Sequence, residues 1–365
     1  MLVPNTFAIH VTYTCPLSCA HCCFSSNPAN KEKLPIELIL QTIRVLDQST
    51  IQMVAFTGGE PLLLGDNLVA AVREASSQGF VTRVVTSAYW GKNLSVARKK
   101  LEQLKEAGLQ EISISWDDFH EEFITFECVY NVFWTAIELG ILPAINVVQA
   151  GNSHWNSERV RNELGLGELG KNLVVETPLN LNGRAESQLK DAGLRPSRTI
   201  GPCPYVLLGP TLSAKNKLLA CCGVIPDTDA LVLDPEFKPE NLKTAVENGL
   251  KSPLLNWIYL RGPYAVMEYI SKRYEIPIPE KERIGGNCEA CKILFETEAL
   301  AEKIPDAVAE KEDEVFGEIK LLDMLGFLEP KTILNLWQSD STVMEVAPRK
   351  GSTSHIQKIP EKPNT

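Results

Sequence analysis

From residue 6 to residue 178, short β-rich runs alternate with longer helical patterns, and this alternation restricts the possible folds more than any other feature. "FAIHVTY" reads as a strand, and "LPIELILQTIRVLDQ" follows it with Pro35 at a helix start and apolar residues at Ile36, Ile39, Leu40, Ile43 and Leu46. The unit repeats in "MVAFTGG" with "NLVAAVREASSQG", "VTRVVTS" with "SVARKKLEQLKEAG", "EISISWDD" with "VYNVFWTAIELG", and "LPAINVV" with "NSERVRNELG"; "NLVVETP" adds a sixth strand. Strands separated by helices at this spacing imply right-handed crossovers and a parallel sheet. The pattern fits an incomplete (β/α) barrel and an open doubly wound sheet equally well. In both, chemistry collects at the carboxyl ends of the strands.

With 365 residues, 44% of them hydrophobic, the chain has material for one large domain and a smaller one. Its apolar runs fall far short of the ~18 residues of a membrane span. The start "MLVPNTFAIH" lacks the regions of a signal peptide, so the expected location is the cytoplasm and no membrane partner is expected. Reducing cytosol disfavours disulfides, which leaves metal binding or catalysis for clustered thiols. A net charge of −10 argues against nucleic acid as a partner. The basic run "ARKKLEQLK" is more simply the solvated face of a helix.

Cys15, Cys19 and Cys22 form C-x3-C-x2-C in the loop directly after the first strand. Three thiolates in a short loop can hold an iron-sulfur cube by one corner and leave one iron open. Structural zinc wants four protein ligands. Cys23 is a possible fourth, although adjacent cysteines point apart in most backbone geometries.

This loop with His21 before its last cysteine, followed at the end of the second strand by Gly58-Gly59-Glu60-Pro61, resembles the radical S-adenosylmethionine (radical SAM) superfamily over residues 6 to about 178. The resemblance implies an α/β fold, a partial (β/α)6 TIM-like barrel. It also implies a 4Fe-4S cluster on Cys15, Cys19 and Cys22 that binds S-adenosylmethionine at its open iron and cleaves it to a 5'-deoxyadenosyl radical. Gly58 and Gly59 would let the backbone approach the ligand, and Glu60 offers a carboxylate to its ammonium group. His21 and Pro61 belong to the same implied cofactor-binding set. Ser115 and Asp117 end the fourth strand, where members of the family place polar groups on the ribose; Thr86, Ser87 and Asn146 are softer candidates. His120 is either an acid or base at this rim or a hydrogen-bonded structural group. No catalytic acid or base is assigned.

Cys203, Cys221, Cys222, Cys288 and Cys291 form a second set. It resembles the auxiliary-cluster modules called SPASM and twitch, with Asn216 at their hairpin glycine, a residue that tolerates the left-handed conformation. The resemblance implies one auxiliary 4Fe-4S cluster on Cys203, Cys221, Cys288 and Cys291, with Cys222 as a replacement for Cys221 or a free thiol. Zinc on the same four remains an alternative. The expected division is a radical SAM core at 1–180, a linker at 181–200, a small α+β cysteine-rich auxiliary domain at 201–295, C-terminal helices at 296–338 and a disordered polar tail at 339–365.

A radical core with an auxiliary cluster implies, by the same resemblance, an enzyme that abstracts hydrogen from a ribosomally synthesised precursor peptide to crosslink, excise or oxidise. So few residues precede the first strand that leader recognition would fall to a separate protein or to the auxiliary module. Flavodoxin or ferredoxin would be the reductant. One alternative is a radical dehydrogenase or mutase of a small metabolite. The other is a non-catalytic electron carrier or scaffold, against which "GGEP" counts.

Overall fold

Six parallel strands lie side by side in the order of the sequence: β1 (Thr6–Thr12), β2 (Met53–Gly58), β3 (Val81–Thr86), β4 (Glu111–Ser115), β5 (Leu142–Gln149) and β6 (Val174–Pro178). They are seen in a computed structural model that describes residues 4–151, 153–189, 200–222 and 228–327. The helices between them are α1 (Ile36–Arg44), α2 (Asp66–Ser77), α3 (Leu94–Glu106), the short α4 (Asp118–Glu121), α5 (Phe126–Glu138) and α6 (Ser157–Leu164). A doubly wound sheet reverses its strand order at a switch point. Here the order never reverses from β1 to β6, so the arrangement is the partial barrel.

Local chemistry sets the helix ends. Asn93 accepts from the N–H groups of Ser95 and Val96 to cap α3, Asn156 accepts from Arg159 N–H to cap α6, and Gly165 closes α6 in the left-handed conformation at φ 72°. Right-handed crossovers put these helices on one face of the sheet, and alternate strand residues face them. Ile9, Phe56, Val84, Ile114 and Val147 pack there among Ile39, Val72, Leu101 and Phe133, all fully buried. Each such side chain contributes about 1.5–3 kcal/mol. The intervening residues, among them Thr57, Val85, Ser115 and Asn146, point to the other face, where a cavity forms.

After β6 the chain departs from the expected linker. Residues 181–189 include α7 (Arg184–Gln188), with Ala185 fully buried and Leu189 nearly so against Leu17, Cys15 and Cys19; residues 190–199 lie outside the described residues. Three short strands follow, β7 (Thr211–Leu212), β8 (Leu218–Leu219) and β9 (Val232–Asp234). An incomplete barrel leaves the edge of β1 with unpaired backbone groups. β7 pairs with it in parallel, so the C-terminal module extends the core sheet to nine strands rather than standing apart. Asn216 turns the β7–β8 hairpin at φ 58°. A second core around Trp257, Ile258, Met267, Ile270 and Leu294 joins α9 (Pro253–Arg261), α10 (Pro263–Tyr274) and α11 (Asn287–Glu296), and α8 (Leu242–Leu250) precedes them. α12 (Glu298–Ala301) and α13 (Ile304–Met324) complete the described fold; Arg261 of α9 pairs with Glu314 and Glu318 of α13. Residues 328–338, expected to be helical, and the tail at 339–365 lie outside the described residues. Among the described residues, no helix is long and apolar enough to cross a membrane.

Candidate active site

At the carboxyl ends of the strands lies a cavity of about 790 Å³ whose wall carries residues of both cysteine sets. The first loop is a closed excursion from β1. Tyr13 N–H donates to the Glu32 carbonyl at 2.8 Å, Cys15 N–H to the Asn27 carbonyl at 3.2 Å and Leu34 N–H to the Val11 carbonyl at 3.0 Å. Inside it, Cys22 N–H donates to the Cys19 carbonyl and Ser25 N–H to the Cys22 carbonyl, both at 3.1 Å. Cys15, Cys19, His21 and Cys22 all reach the wall.

Burial pushes the Cys15 thiol up to about 12, despite a backbone hydrogen bond at Leu17 that works the other way, and burial raises Cys19 as well. Thiolates in such a place need a cationic centre in contact with them. The imidazole of His21 is pushed down to about 4 by burial, against the pull of Asp117, and its Nδ1 is buried with no partner among the described residues. Three thiols on one cavity wall, two of them buried, suit an iron-sulfur cluster with one open iron. The donor set contains no fourth cysteine of the kind structural zinc requires unless Cys23 is recruited.

Gly58 and Gly59 also line the cavity, but the close approach that demands glycine is to the chain itself. A Cβ on Gly58 would lie 2.3 Å from the Thr12 carbonyl oxygen, and one on Gly59 would lie 2.2 Å from that of Thr14. Gly59 N–H donates to Thr12 at 2.6 Å and Glu60 N–H to Thr14 at 2.9 Å, so the end of β2 is bonded to the root of the cysteine loop. The Glu60 carboxylate lies fully buried behind the wall. It accepts from Thr86 Oγ1 at 2.8 Å, Ser87 Oγ at 2.7 Å, Ser87 N–H at 3.0 Å and Leu62 N–H at 3.2 Å. Burial raises its pKa, and these hydrogen bonds oppose the rise. In this arrangement its oxygens bind the ends of β2 and β3 together. Pro61 is buried at the start of the 3-10 turn Pro61–Leu64.

Ser115 and Asn146 reach the wall; Asp117 does not. Fully buried, Asp117 accepts at Oδ1 from the N–H groups of Phe119 and His120 and pairs with His120 Nδ1 at 2.8 Å, while Oδ2 lies 3.3 Å from His21 Nε2. Burial alone would raise its pKa, but the two histidines and the hydrogen bonds prevail and hold it down at about 2. One carboxylate thus ties the cysteine loop to the end of β4, and ligand atoms of Cys19, His21 and His120 fall within 4.8 Å of one another. Asp117→Ala removes a helix cap and the shared partner of two buried imidazoles. It is expected to cost about 3 kcal/mol, measured as a lowered urea midpoint at unchanged slope.

The second set is assembled from three segments. Cys288 and Cys291 lie one turn apart in the first half of α11. Asn287 ties that helix to the segment before Cys203, accepting from Gly201 N–H at 3.1 Å and donating to the Pro202 carbonyl at 3.3 Å. Cys221 and Cys222 follow β8, and all five cysteines line the cavity. Burial raises the thiols of Cys203, Cys288 and Cys291. Sequence reasoning left Cys23 outside both sets, yet it lines the same cavity within electrostatic reach of Cys22, Cys222 and Cys288. It also gave no role to Arg184, whose contacts with the cysteine loop come from α7, inside the expected linker.

A partial barrel with three cysteines after its first strand and a glycine pair at the end of its second defines an iron-sulfur enzyme of the S-adenosylmethionine-dependent class. Residues 9–142 match the Radical SAM superfamily, and that part of the chain is a radical SAM domain. It is similar to the putative peptide biosynthesis protein YydG of Bacillus subtilis (strain 168), 23% identical over 314 residues, which covers 82% of this chain and 94% of that protein. It is also similar to the PqqA peptide cyclase of Gluconobacter oxydans (strain 621H), 34% identical over 122 residues, 32% of each chain. Among solved structures, hexahistidine-tagged anSMEcpe with bound AdoMet aligns with a TM-score of 0.48 at 14% identity, covering 86% of this chain and 98% of that one.

Proposed function

We propose that this radical SAM enzyme modifies a peptide substrate held between two iron-sulfur clusters. Cys15, Cys19 and Cys22 would carry the cluster that binds S-adenosylmethionine, and Cys203, Cys288 and Cys291 with Cys221 or Cys222 an auxiliary one. The observation that carries the reading is the single cavity onto which both cysteine sets open beside Gly58 and Gly59. When bound and reduced, the first cluster with S-adenosylmethionine supplies a 5'-deoxyadenosyl radical that takes a hydrogen atom from substrate. The chain's own residues do the rest. Ser115 and Asn146 offer a hydroxyl and an amide for the sugar of the ligand, and Gly58 and Gly59 hold the end of β2 against the root of the cysteine loop. The apolar wall, including Val85, Val148, Leu179 and Ile258, keeps water from the reacting carbon.

Its size favours a substrate beside the cofactor, since about 790 Å³ is near the upper end of the range for small-molecule sites. That this substrate is a peptide is supported by the names of the two relatives, a peptide biosynthesis protein and a peptide cyclase. Electrons would come from a flavodoxin or ferredoxin in the cytoplasm.

Anaerobic reconstitution followed by dithionite and S-adenosylmethionine tests the reading, with 5'-deoxyadenosine and iron as readouts. About eight irons per chain and formation of 5'-deoxyadenosine are expected. Product with only about four irons would remove the auxiliary cluster. Mass spectrometry of peptides that co-purify with the enzyme, and of their mass change on turnover, separates a peptide from a metabolite substrate; turnover stimulated by a small-molecule extract alone would overturn the peptide.

A further inference from the structure

Arg184 stands at the start of α7, and three of its groups return to the cysteine loop. Its backbone N–H donates to the Cys22 carbonyl at 3.0 Å, Nη1 to the Cys19 carbonyl at 2.7 Å and Nη2 to the Ser26 carbonyl at 2.6 Å. The side-chain bonds reach back 165 and 158 positions along the chain. Together they span the turn that carries Cys19 and Cys22.

The residues around Arg184 hold it there. Gly183 adopts φ 60°, and a Cβ on it would lie 2.2 Å from the Cys23 carbonyl oxygen and 2.7 Å from that of Cys22, so only glycine brings this backbone so close. Ala185 packs beneath the loop, and Glu186 pairs with Lys292 of α11. α7 is therefore fixed to the loop on one side and to the helix of Cys288 and Cys291 on the other.

We infer that Arg184 is a positioning residue for the first cluster: its guanidinium locks the Cys19–Ser26 turn, sets the directions of the Cys19 and Cys22 thiols, and adds a fixed positive charge beside them. The inference rests on the reading of Cys15, Cys19 and Cys22 as ligands. A planar fork can hold two carbonyls at once, which the single point charge of lysine cannot do as well. Groups just outside the ligands commonly govern how firmly a metal is held. The charge is within reach of Cys15 and His21, and it works to lower the pKa of both. A cluster on three thiolates is anionic and gains negative charge on reduction, so a neighbouring cation favours the reduced form.

The test compares the full-length wild type with Arg184→Ala and Arg184→Lys after anaerobic reconstitution. Three quantities are read: amide exchange across residues 19–26 before iron is added, the rate of iron loss to a chelator, and the midpoint potential of the EPR signal that shifts on addition of S-adenosylmethionine. In Arg184→Ala, faster amide exchange, iron loss ~10–100-fold faster and a more negative potential are expected. In Arg184→Lys, accelerated iron loss with a potential close to wild type is expected, since the charge is kept and the fork is lost. Wild-type iron retention in both variants would overturn the inference. If Arg184→Ala does not fold, Arg184→Lys decides alone, with iron retention at the wild-type rate overturning it. A wild-type chain that never shows the S-adenosylmethionine-sensitive signal would instead overturn the ligand reading itself.

Discussion

Replacing Cys15, Cys19 and Cys22 together with alanine is expected to abolish 5'-deoxyadenosine formation and to erase the S-adenosylmethionine-sensitive EPR signal, leaving the absorption of the second set in place. The three side chains are the thiols that the closed loop presents to the cavity beside Gly58 and Gly59. Cys23, the adjacent thiol, lies within electrostatic reach of Cys222 and Cys288, so rescue would require it to leave that neighbourhood. Alanine fits at each position without new backbone strain, and the loop keeps its hydrogen bonds to Asn27 and Glu32 because these are made by main-chain groups. The loss should therefore be one of chemistry rather than of fold, verified by an unchanged urea transition of the cluster-free protein. Residual cleavage in the triple variant would show that the ligands lie elsewhere.

Gly59→Ala is expected to damage the site severely although it touches no cysteine. Its Cβ would meet the Thr14 carbonyl oxygen at 2.2 Å, the Thr14 carbonyl carbon at 2.8 Å and that of Tyr13 at 2.9 Å. All three are backbone atoms, and the same segment is held by the Gly59–Thr12 and Glu60–Thr14 hydrogen bonds, so neither side can yield cheaply. Overpacking of this kind costs about 1–3 kcal/mol or more. The relief available is to move Thr14, and Cys15 moves with it. Displacement of a reacting centre by about 1 Å can cost ~10²-fold in rate, the drop expected in 5'-deoxyadenosine formation. Gly317→Ala is the control: a Cβ there meets nothing within 4 Å, and alanine in mid-helix should be stabilising by up to ~1 kcal/mol. Equal behaviour of the two variants would exclude the clash as the cause.

Much of this was legible in the sequence because it is local. The periods of 2 and 3.6 in "MVAFTGG" and "LPIELILQTIRVLDQ" are properties of neighbouring residues, and they return as β2 and α1. Right-handed crossovers then left two candidate sheets, and only the strand order distinguished them. Glu60 shows the limit of a motif. The letters mark a carboxylate at the end of β2, but its direction depends on Thr86 and Ser87, hydroxyl residues 26 and 27 positions away that complete its hydrogen bonds. Asp117 shows the same limit, since a buried carboxylate shared by His21 and His120 has no signature along the chain.

The sequence by itself determined the β/α alternation, the C-x3-C-x2-C loop and the glycine pair after β2, features encoded in the covalent order of a few adjacent residues. The tertiary structure alone decided that β7 closes on the free edge of β1, that Glu60 and Asp117 brace the wall from behind, and that Arg184 reaches back to the cysteine loop. These depend on hydrogen bonds between groups far apart in the chain. Such partners are selected by the three-dimensional requirement that buried polar groups be satisfied, not by any spacing in the sequence.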